Sequence, residues 1–417
     1  MIKMLKIHFL ITFSLLTNIN CQSEAILSLL SKLSIEEKCG QMTHITLDFL
    51  QTDQRPSDPN QNPVNTTKLI EAIRDKRVGS IQNVPFGIAQ KAETWIQITN
   101  QIKLLSAIHN PKIPILYGID SIHGANYIRE ATLFPQPLAM ASSFNLDIAA
   151  SIARVTSLET RAVGIQWNFN PVLDVARQPI WSRTWESYGE DTFLAGRIGE
   201  AYIKAHQGTS LKNRSVSATC MKHFVGYSVP FNGKDRTPAY LPESLLREVF
   251  LPPFEAAIKA GCLTVMVNSG EVNNVPGHAN GRYINEILKG ELGFEGLVVS
   301  DWDDVMRLHK RDGIAETPDE AVRLAVVSGV DQSISPFGYD FYESCVRLAK
   351  RDEVFLDRAT DATRRILKVK EELGLFDDVA QKQECKFIFN YLKLNCYYMD
   401  YRELRFFFLL SVFLRLL

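Results

Sequence analysis

The 417-residue sequence lacks the short motifs that mark several classes of cofactor site. It has no HxH or HExxH pair, no CxxC pair, no GxxxxGK[ST] loop and no GxGxxG loop. Histidine and cysteine pairs at such spacings are the usual ligands of zinc, and the two glycine-rich loops are the usual cradles for phosphates. A bound metal is therefore not expected, and we predict an activity that needs no cofactor.

An excess of charge of either sign is also missing. The chain has 46 Lys and Arg against 47 Asp and Glu, a formal net charge of -1. This balance gives no support for a basic surface that binds nucleic acid or for a polybasic surface that binds membranes. Hydrophobic residues make up 46% and charged residues 22%, which is ordinary for a folded chain with a large buried core.

Long apolar runs are absent, and the apolar run near the start is too short to span a bilayer. Lysines stand at positions 3 and 6, residues 8–16 are apolar, and a polar stretch follows. This order is typical of a secretory signal peptide, so we interpret residues 1–21 as one and predict a secreted protein. N-x-[ST] triplets at Asn65 and Asn213 fit that route.

From about residue 34 to residue 378, short apolar runs alternate with longer helical stretches. The predicted strands are residues 40–43, 79–84, 113–117, 165–170, 217–224, 263–268, 296–300 and 329–334. Several lack polar alternation, as strands buried on both faces do. Eight strand–helix units in a row predict an α/β fold, a closed TIM-type (β/α)8 barrel occupying residues 24–378.

Polar side chains lie towards the carboxyl ends of these predicted strands or just after them. They are Asp120, Asn170, Asp174, Lys222, His223, Asn268, Asp301 and Asp331. Buried ionisable groups are costly unless they pair or meet a ligand, and barrels carry their sites at the carboxyl ends of the strands. The sequence therefore predicts a site at that end.

Asp301 is the sharpest candidate for a catalytic group. It follows the apolar run in GLVVSDWDD and has Trp302 beside it. A carboxylate next to an indole suits attack on a sugar anomeric carbon with stacking under the ring. The alternative interpretation is an aspartate that caps the next helix.

Lys222, His223, Asp120 and Arg183 are candidates for ligand contacts. Lys222 and His223 offer hydrogen bonds to substrate hydroxyls, but a lysine at a barrel strand end also forms Schiff bases in some enzymes. Asp120 suits a vicinal diol. Arg183 offers a fixed fork of donors, although it lies between two tryptophans and fits a packed aromatic loop equally well.

Four ordered segments together resemble glycoside hydrolase family 3, the β-glucosidase family. They are YGIDSIHG at 117–124, RTWESYGED at 183–191, the stretch 222–261 that begins KHFVGYSV, and GFEGLVVSDWDD at 293–304. The resemblance covers roughly residues 33–378. It implies a (β/α)8-type first domain, in agreement with the strand count.

The resemblance also implies roles for individual residues. Asp301 matches the family's catalytic nucleophile. The implied substrate-binding residues are Asp120, Arg183, Lys222, His223, Trp302 and Met266, with Glu271 near a position where relatives often have tyrosine. The implied reaction is exo-hydrolysis of terminal β-D-glucosyl residues of a β-glucoside or β-glucan with retention, through a covalent glycosyl-enzyme.

The resemblance leaves the proton donor open. Family members take it from a second α/β domain or from an Asp-x-His pair after the KHF motif, and the loop GYSVPFNGKDRTP has no histidine. We expect a truncated product, with two alternatives: a local carboxylate (Glu271, Asp235 or Asp303) substitutes, or the barrel binds sugar without efficient turnover. Residues 379–417, rich in aromatics and cysteine, are predicted to be an atypical tail, or else a small helical cap.

Overall fold

The computed structural model describes residues 23–58 and 60–377. The predicted signal peptide and the predicted tail both lie outside the described residues. The fold below is therefore that of the central part of the chain, which includes all eight predicted strands.

The described residues contain an eight-stranded sheet and a separate hairpin. The strands are β1 (Thr43–Thr46), β2 (Ser80–Gln82), β3 (Leu116–Ile119), β4 (Trp167–Asn168), β5 (Ala218–Phe224), β6 (Thr264–Val267), β7 (Glu271–Val272), β8 (Val275–Pro276), β9 (Leu297–Val299) and β10 (Ser333–Ile334). The sheet order is β10-β1-β2-β3-β4-β5-β6-β9, and each pairing in it is parallel. Strands β7 and β8 pair antiparallel to form the hairpin.

The two ends of this sheet meet. Val299 at the end of β9 forms a parallel bridge with Gln332, which immediately precedes β10. The backbone N–H of Ser300 donates to Gln332 O at 2.8 Å. The sheet therefore closes on itself, and the predicted parallel barrel is confirmed.

Helices fill the connections between the strands. Within the described residues they are Glu24–Ser31, Ile35–Gln41, Leu47–Leu50, Thr66–Ile70, Ala92–His109, Pro137–Ala141, Leu146–Ala162, Thr192–Gln207, Glu243–Leu245, Pro252–Lys259, Asp304–Lys310, Pro318–Val327, Asp340–Ala349 and Glu353–Glu372. Wider helical turns occur at Glu71–Asp75, Leu246–Phe250 and Arg282–Glu291, and short 3-10 turns at Pro85–Gly87, Thr184–Glu186 and Gly277–Ala279. Neighbouring helices pack on one another around the ring, as Leu146–Ala162 does on Thr192–Gln207.

Each predicted strand overlaps an observed one, but the first begins late. The run at 40–43 was expected to be extended, whereas the helix Ile35–Gln41 occupies most of it. Ser34 Oγ accepts from Glu37 N at 3.1 Å, and Glu37 Oε2 accepts from Ser34 N at 2.9 Å. This capping box starts a helix that continues into the predicted strand.

Asp331 does not lie at the carboxyl end of its strand, so the prediction that placed it there is wrong. It precedes β10, because the strand occupies only the last part of the run 329–334. Asp331 Oδ1 accepts from Lys289 Nζ at 3.0 Å and also pairs with Arg358, and Oδ2 accepts from Val298 N at 2.8 Å. Asp331 is thus a fully bonded structural carboxylate.

The inside of the barrel is filled by aromatic side chains. Trp167 and Phe169 pack edge to face with ring centroids 4.7 Å apart, and His44 lies 5.6 Å from the Trp167 ring. Gly118 in β3 makes room for them, since a Cβ there would stand 2.5 Å from Phe169 Cζ. Because the interior is a packed core, a ligand binds at an end of the barrel and not within it.

The last described helix covers the amino ends of the strands. Lys370 Nζ donates to Gly79 O at 2.7 Å and to Pro114 O at 2.8 Å, just before β2 and β3. Arg365 Nη1 donates to Gly296 O at 3.1 Å, just before β9. The opposite end of the barrel is where a cavity opens.

Candidate active site

A cavity of about 400 Å³ opens at the carboxyl ends of the strands. Its walls are formed by Gln82, Asp120, Ile122, Tyr127, Arg183, Trp185, Glu186, Lys222, His223, Asp235, Arg236, Met266, Asp301, Trp302 and Ile334. The structure brings seven of the sequence-predicted site residues to these walls: Asp120, Arg183, Lys222, His223, Met266, Asp301 and Trp302. One cavity therefore joins side chains that are up to 182 positions apart in the sequence, from 120 to 302.

Glu271 is the predicted site residue that does not line the described cavity walls. It begins β7, and its backbone oxygen accepts from Ala239 N at 2.8 Å. Burial and the neighbouring carboxylate of Asp312 raise the pKa of Glu271. The two-stranded hairpin that carries Glu271 was not predicted, because its strands of two residues leave no periodic signal.

Asp301 lies two residues beyond β9. Its backbone N–H donates to His278 Nε2 at 3.0 Å, and its Oδ1 accepts from Trp302 N at 2.5 Å. Its Oδ2 is buried and has no hydrogen-bond partner among the described residues. The next helix begins at Asp304 and has Asp303 as its cap, so Asp301 does not act as a helix cap.

An arginine and a histidine flank this carboxylate. Arg236 Nη2 is 3.6 Å from Asp301 Oδ1, and His223 Nε2 is 3.7 Å from Asp301 Oδ2. Burial by itself would raise the pKa of Asp301, but the positive charges of Arg236 and Arg183 outweigh it and hold the pKa below its ordinary value. Asp301 is therefore an anion at neutral pH.

Lys222 and His223 both reach the cavity although they are consecutive residues of β5. Side chains of a regular strand alternate between its two faces. The register of β5 against β6 shifts between Met221 and Phe224, and such an irregularity re-aims a side chain. Lys222 Nζ donates to Asp120 Oδ1 at 2.5 Å, which favours a hydrogen-bonding role over Schiff-base formation.

His223 is fixed between a carboxylate and a guanidinium. Asp174 Oδ2 contacts His223 Nδ1 at 2.7 Å and accepts the His223 backbone N–H at 3.2 Å, while Arg183 Nη2 faces His223 Nε2 at 3.2 Å. Burial lowers the pKa of His223 well below 6.5 and raises the pKa of Asp174 to about 8. A neutral imidazole that donates from Nδ1 to Asp174 Oδ2 leaves its Nε2 to accept from Arg183 Nη2.

Arg183 is held by its own short turn. Its Nε and Nη2 donate to Glu186 Oε1 and Oε2, each at 2.8 Å, and its Nη1 lies 3.4 Å from Tyr227 Oη. The flanking Trp181 is buried, whereas Trp185 is exposed at the cavity mouth. The segment is thus both an aromatic loop and a cavity wall, and the two interpretations do not exclude each other.

Several residues of the site were missed from the sequence. Arg236 comes from the loop after β5, next to Asp235, which the sequence suggested as a substitute proton donor. Tyr227 Oη donates to Asp235 Oδ1 at 2.7 Å. Glu186 could have been found, because Arg183 and Glu186 at a spacing of three suit an ion pair across one turn. Arg236 left no such signal, since its position depends on an irregular loop.

Within residues 23–58 and 60–377, no group of three His, Cys, Asp or Glu side chains is arranged to hold a metal ion. In the same part of the chain, no helix is both long enough and apolar enough to cross a membrane. The cavity chemistry described here is carried by carboxylates, guanidinium groups, one lysine and one histidine.

A closed parallel barrel with a charged cavity at the carboxyl ends of its strands defines a (β/α)8-barrel protein with a polar small-molecule site. Residues 34–369 match the family described as "Glycosyl hydrolase family 3 N terminal domain". The chain belongs to this family, as its four motif segments predicted.

Individual relatives support this family membership. A "Lysosomal beta glucosidase" of Dictyostelium discoideum is 40% identical over 84% of this chain and 44% of its own length. A "Periplasmic beta-glucosidase" of Salmonella typhimurium is 33% identical over 85% of this chain and 42% of its own length. The crystal structure of a beta-glucosidase from Listeria innocua superposes with a TM-score of 0.76 and 28% identity, over 88% of this chain and 49% of that one. The chain thus spans less than half the length of these relatives.

Proposed function

We propose that residues 24–378 form the catalytic barrel of a retaining, exo-acting β-glucosidase that releases terminal non-reducing β-D-glucosyl residues. The names of the two relatives support the β-glucosidase activity. The observation that carries the proposal is Asp301: an anionic carboxylate in the cavity wall, with one oxygen that accepts no hydrogen bond from the described residues.

The surrounding donors and acceptors suit a pyranose. Asp120 and Lys222 form one hydrogen-bonded pair in the wall, able to accept from one hydroxyl and donate to another. His223 and Arg183 form a second polar pair beside Asp301. Trp302 offers an aromatic face next to the carboxylate. The packed barrel interior closes the cavity from below, so the end of a sugar chain enters it more easily than the middle, which favours exo action.

The chemistry follows from this arrangement. An oxygen of Asp301 attacks C1 of the bound glucosyl unit, and the bond from C1 to the leaving-group oxygen breaks, with the electron pair going to that oxygen. A water molecule then attacks C1 as the bond between C1 and Asp301 breaks, and the water loses one proton to the solvent, which balances the proton that the leaving-group oxygen takes up. Two inversions at C1 give overall retention.

The leaving oxygen needs a proton when it belongs to a sugar. Of the three local carboxylates considered from the sequence, only Asp235 is among the described cavity-lining residues. Asp235 Oδ1 accepts from Trp181 Nε1 at 3.2 Å and from Tyr227 Oη at 2.7 Å. General acid help is worth about 10²–10⁴ in rate, so the first test uses a leaving group that needs none.

The test is covalent trapping of the full chain by a 2-deoxy-2-fluoro-β-D-glucoside with a dinitrophenolate leaving group. Mass spectrometry of the intact protein should find one fluoroglucosyl adduct on the wild type and none on Asp301→Asn, because the amide is a poor nucleophile. Asp303→Asn, two positions along, is the matched control and should retain the adduct. An adduct on Asp301→Asn would contradict the nucleophile assignment. Glucose binding without an adduct on the wild type would indicate a sugar-binding protein instead.

We also propose that the chain enters the secretory route through residues 1–21. The names of the relatives, lysosomal in one case and periplasmic in the other, support a location outside the cytosol. Expression in eukaryotic cells and sequencing of the mature amino terminus should find cleavage close to residue 21. An intact Met1 on intracellular protein would contradict this.

A further inference from the structure

Arg236 lies among three carboxylates of the cavity region. Its Nε is 3.6 Å from Asp235 Oδ2, its Nη2 is 3.6 Å from Asp301 Oδ1, and its Nη1 is 3.4 Å from Asp304 Oδ2. Each nitrogen of the guanidinium group thus faces a different carboxylate. A planar guanidinium group can hold such fixed relations, because its five N–H donors point in set directions.

The backbone holds Arg236 in an uncommon conformation. Its φ is 59°, in the left-handed region that costs a residue with a long side chain free energy. The next residue fixes the turn, since Thr237 Oγ1 lies 2.7 Å from both Asn232 Oδ1 and Lys234 O and donates its one hydrogen to one of them. The loop therefore directs this side chain towards the site in spite of the local cost.

Asp304 provides the anchor on the far side of the guanidinium. Its side chain is 0% exposed, and Ser269 Oγ lies between it and Arg236, accepting from Arg236 Nη1 and donating to Asp304 Oδ2. Arg307 and Arg311 also bind Asp304 Oδ1, each at 3.2 Å. This buried cluster fixes the position from which Arg236 faces Asp301.

We propose that Arg236, held by Ser269 and Asp304, is a positioning residue that keeps the Asp301 carboxylate anionic and oriented for attack. The inference rests on the proposed function, in which Asp301 is the nucleophile. It assigns to Arg236 a role that acts through Asp301, and it makes the loop after β5 part of the catalytic machinery.

The other groups that face Asp301 do not replace this charge. Burial lowers the pKa of His223 and lowers that of His278 to about 3, so both histidines are neutral. Tyr227 is neutral as well, because burial raises its pKa. Arg183 is cationic and also lowers the pKa of Asp301, but less than Arg236 does, and its charge is shared with Glu186 in a bidentate pair.

Asp304 is the remaining charged group and acts in the opposite direction. Burial, followed by the negative charge of Asp301, raises the pKa of Asp304 to about 7. Ionised Asp304 repels the Asp301 carboxylate, and Arg236 lies between the two. Removing the Arg236 charge should therefore raise the pKa of Asp301 and leave more of it protonated, and unreactive, at mildly acidic pH.

The experiment measures the rate of fluoroglucosyl adduct formation on the full chain as a function of pH, with the dinitrophenyl fluoroglucoside. The acid limb of that profile reports protonation of the nucleophile. In Arg236→Gln the limb should move to higher pH by about 1 unit, the usual size of one close opposite charge on a carboxyl group. Arg236→Lys retains a charge and should bring the limb back towards the wild type.

Two further variants complete the design. Arg247→Gln removes an exposed arginine that pairs with Glu243 and Glu291, and it should leave the limb unchanged. Ser269→Ala removes the hydroxyl between Arg236 and Asp304, and it should move the limb upward by a smaller amount. Ser269→Ala also tests the role of Arg236 if Arg236→Gln does not fold.

The outcomes separate the two proposals. If the wild type forms no adduct at any pH, the proposed function is wrong. A second outcome is that the wild type forms the adduct and the acid limb of the folded Arg236→Gln coincides with that of the wild type. The proposed function then stands and the proposed role of Arg236 is wrong. Ser269→Ala replaces Arg236→Gln in this comparison if the latter does not fold.

Discussion

Two buried lysines mark the two ends of the barrel, and their surroundings differ. At the amino end, Lys370 Nζ donates to Gln41 Oε1 at 2.6 Å, Gly79 O at 2.7 Å and Pro114 O at 2.8 Å, and its side chain is fully buried. At the carboxyl end, Lys222 Nζ makes one hydrogen bond within the described part of the chain, to the half-exposed Asp120.

An ammonium group has three N–H donors. Those of Lys370 are all taken up by fixed protein acceptors, whereas Lys222 keeps donors for a bound molecule. The carboxylates repeat this difference. Asp331 at the amino end uses both oxygens, and Asp301 at the carboxyl end leaves Oδ2 without a partner among the described residues. These amino-end groups thus make their hydrogen bonds within the protein and stabilise the fold. Lys222 and Asp301 at the carboxyl end keep unused donors or acceptors, which a bound molecule can use.

The largest expected effect is on stability, from Lys370→Met. The substitution leaves Gln41 Oε1 and Pro114 O without a donor among the described residues, whereas Gly79 O keeps the backbone N–H of Leu116 at 3.2 Å. Each buried oxygen that loses its donor costs about 1–3 kcal/mol. We expect the free energy of unfolding to fall by about 4 kcal/mol, measured by urea denaturation, while the folded fraction still forms the fluoroglucosyl adduct.

Lys222→Met is the matched variant at the other end. The oxygen it leaves behind belongs to half-exposed Asp120 and can be solvated, so unfolding should change by less than about 1 kcal/mol. The loss should appear in kcat/KM instead, by about a hundredfold for one or two lost charged hydrogen bonds. Equal losses of stability in the two variants would contradict the division between the ends.

The fold was largely predictable because burial leaves a strong local signal. Strands such as β6 and β9 are buried on both faces and read as continuous apolar runs, whatever surrounds them. Boundaries failed where a local bond competed with that signal. The capping box of Ser34 and Glu37 extends a helix into the first predicted strand, and Asp331 stays outside β10 because its oxygens satisfy Lys289 and Val298 N.

The site was predictable where a residue lies near the carboxyl end of a strand, because the parallel barrel brings those positions together. Asp120 follows β3, Lys222 lies near the end of β5 and Asp301 lies two residues beyond β9, and the three share the cavity. Arg236 and Glu271 lie in irregular loops or hairpins, whose paths depend on tertiary contacts. The sequence pattern therefore missed Arg236 and gave Glu271 a place in the cavity wall that it does not occupy.

The last expected effect is a pH dependence of stability whose window differs between the ends. At the carboxyl end, burial raises the pKa of Asp304 from 3.8 to about 7. Between about pH 4 and 7 the folded chain holds a proton there that the unfolded chain has lost, so this contribution to stability weakens as pH rises. Asp304→Asn should remove that decline, which urea denaturation at pH 4.5, 6 and 7.5 can measure.

Asp361, in the helix that covers the amino end, has the opposite sign and serves as the control. Burial raises its pKa, but the pairs with Arg364, Arg365 and Arg358 outweigh burial and lower it to about 2. Its stabilisation is present above about pH 4 and is lost as pH falls towards 2. Asp361→Asn should therefore leave the decline between pH 4.5 and 7.5 in place. If both variants remove the decline of the unfolding free energy between pH 4.5 and 7.5, the raised pKa does not belong to Asp304. The acidic groups at the two ends of the barrel would then not differ in the way proposed here.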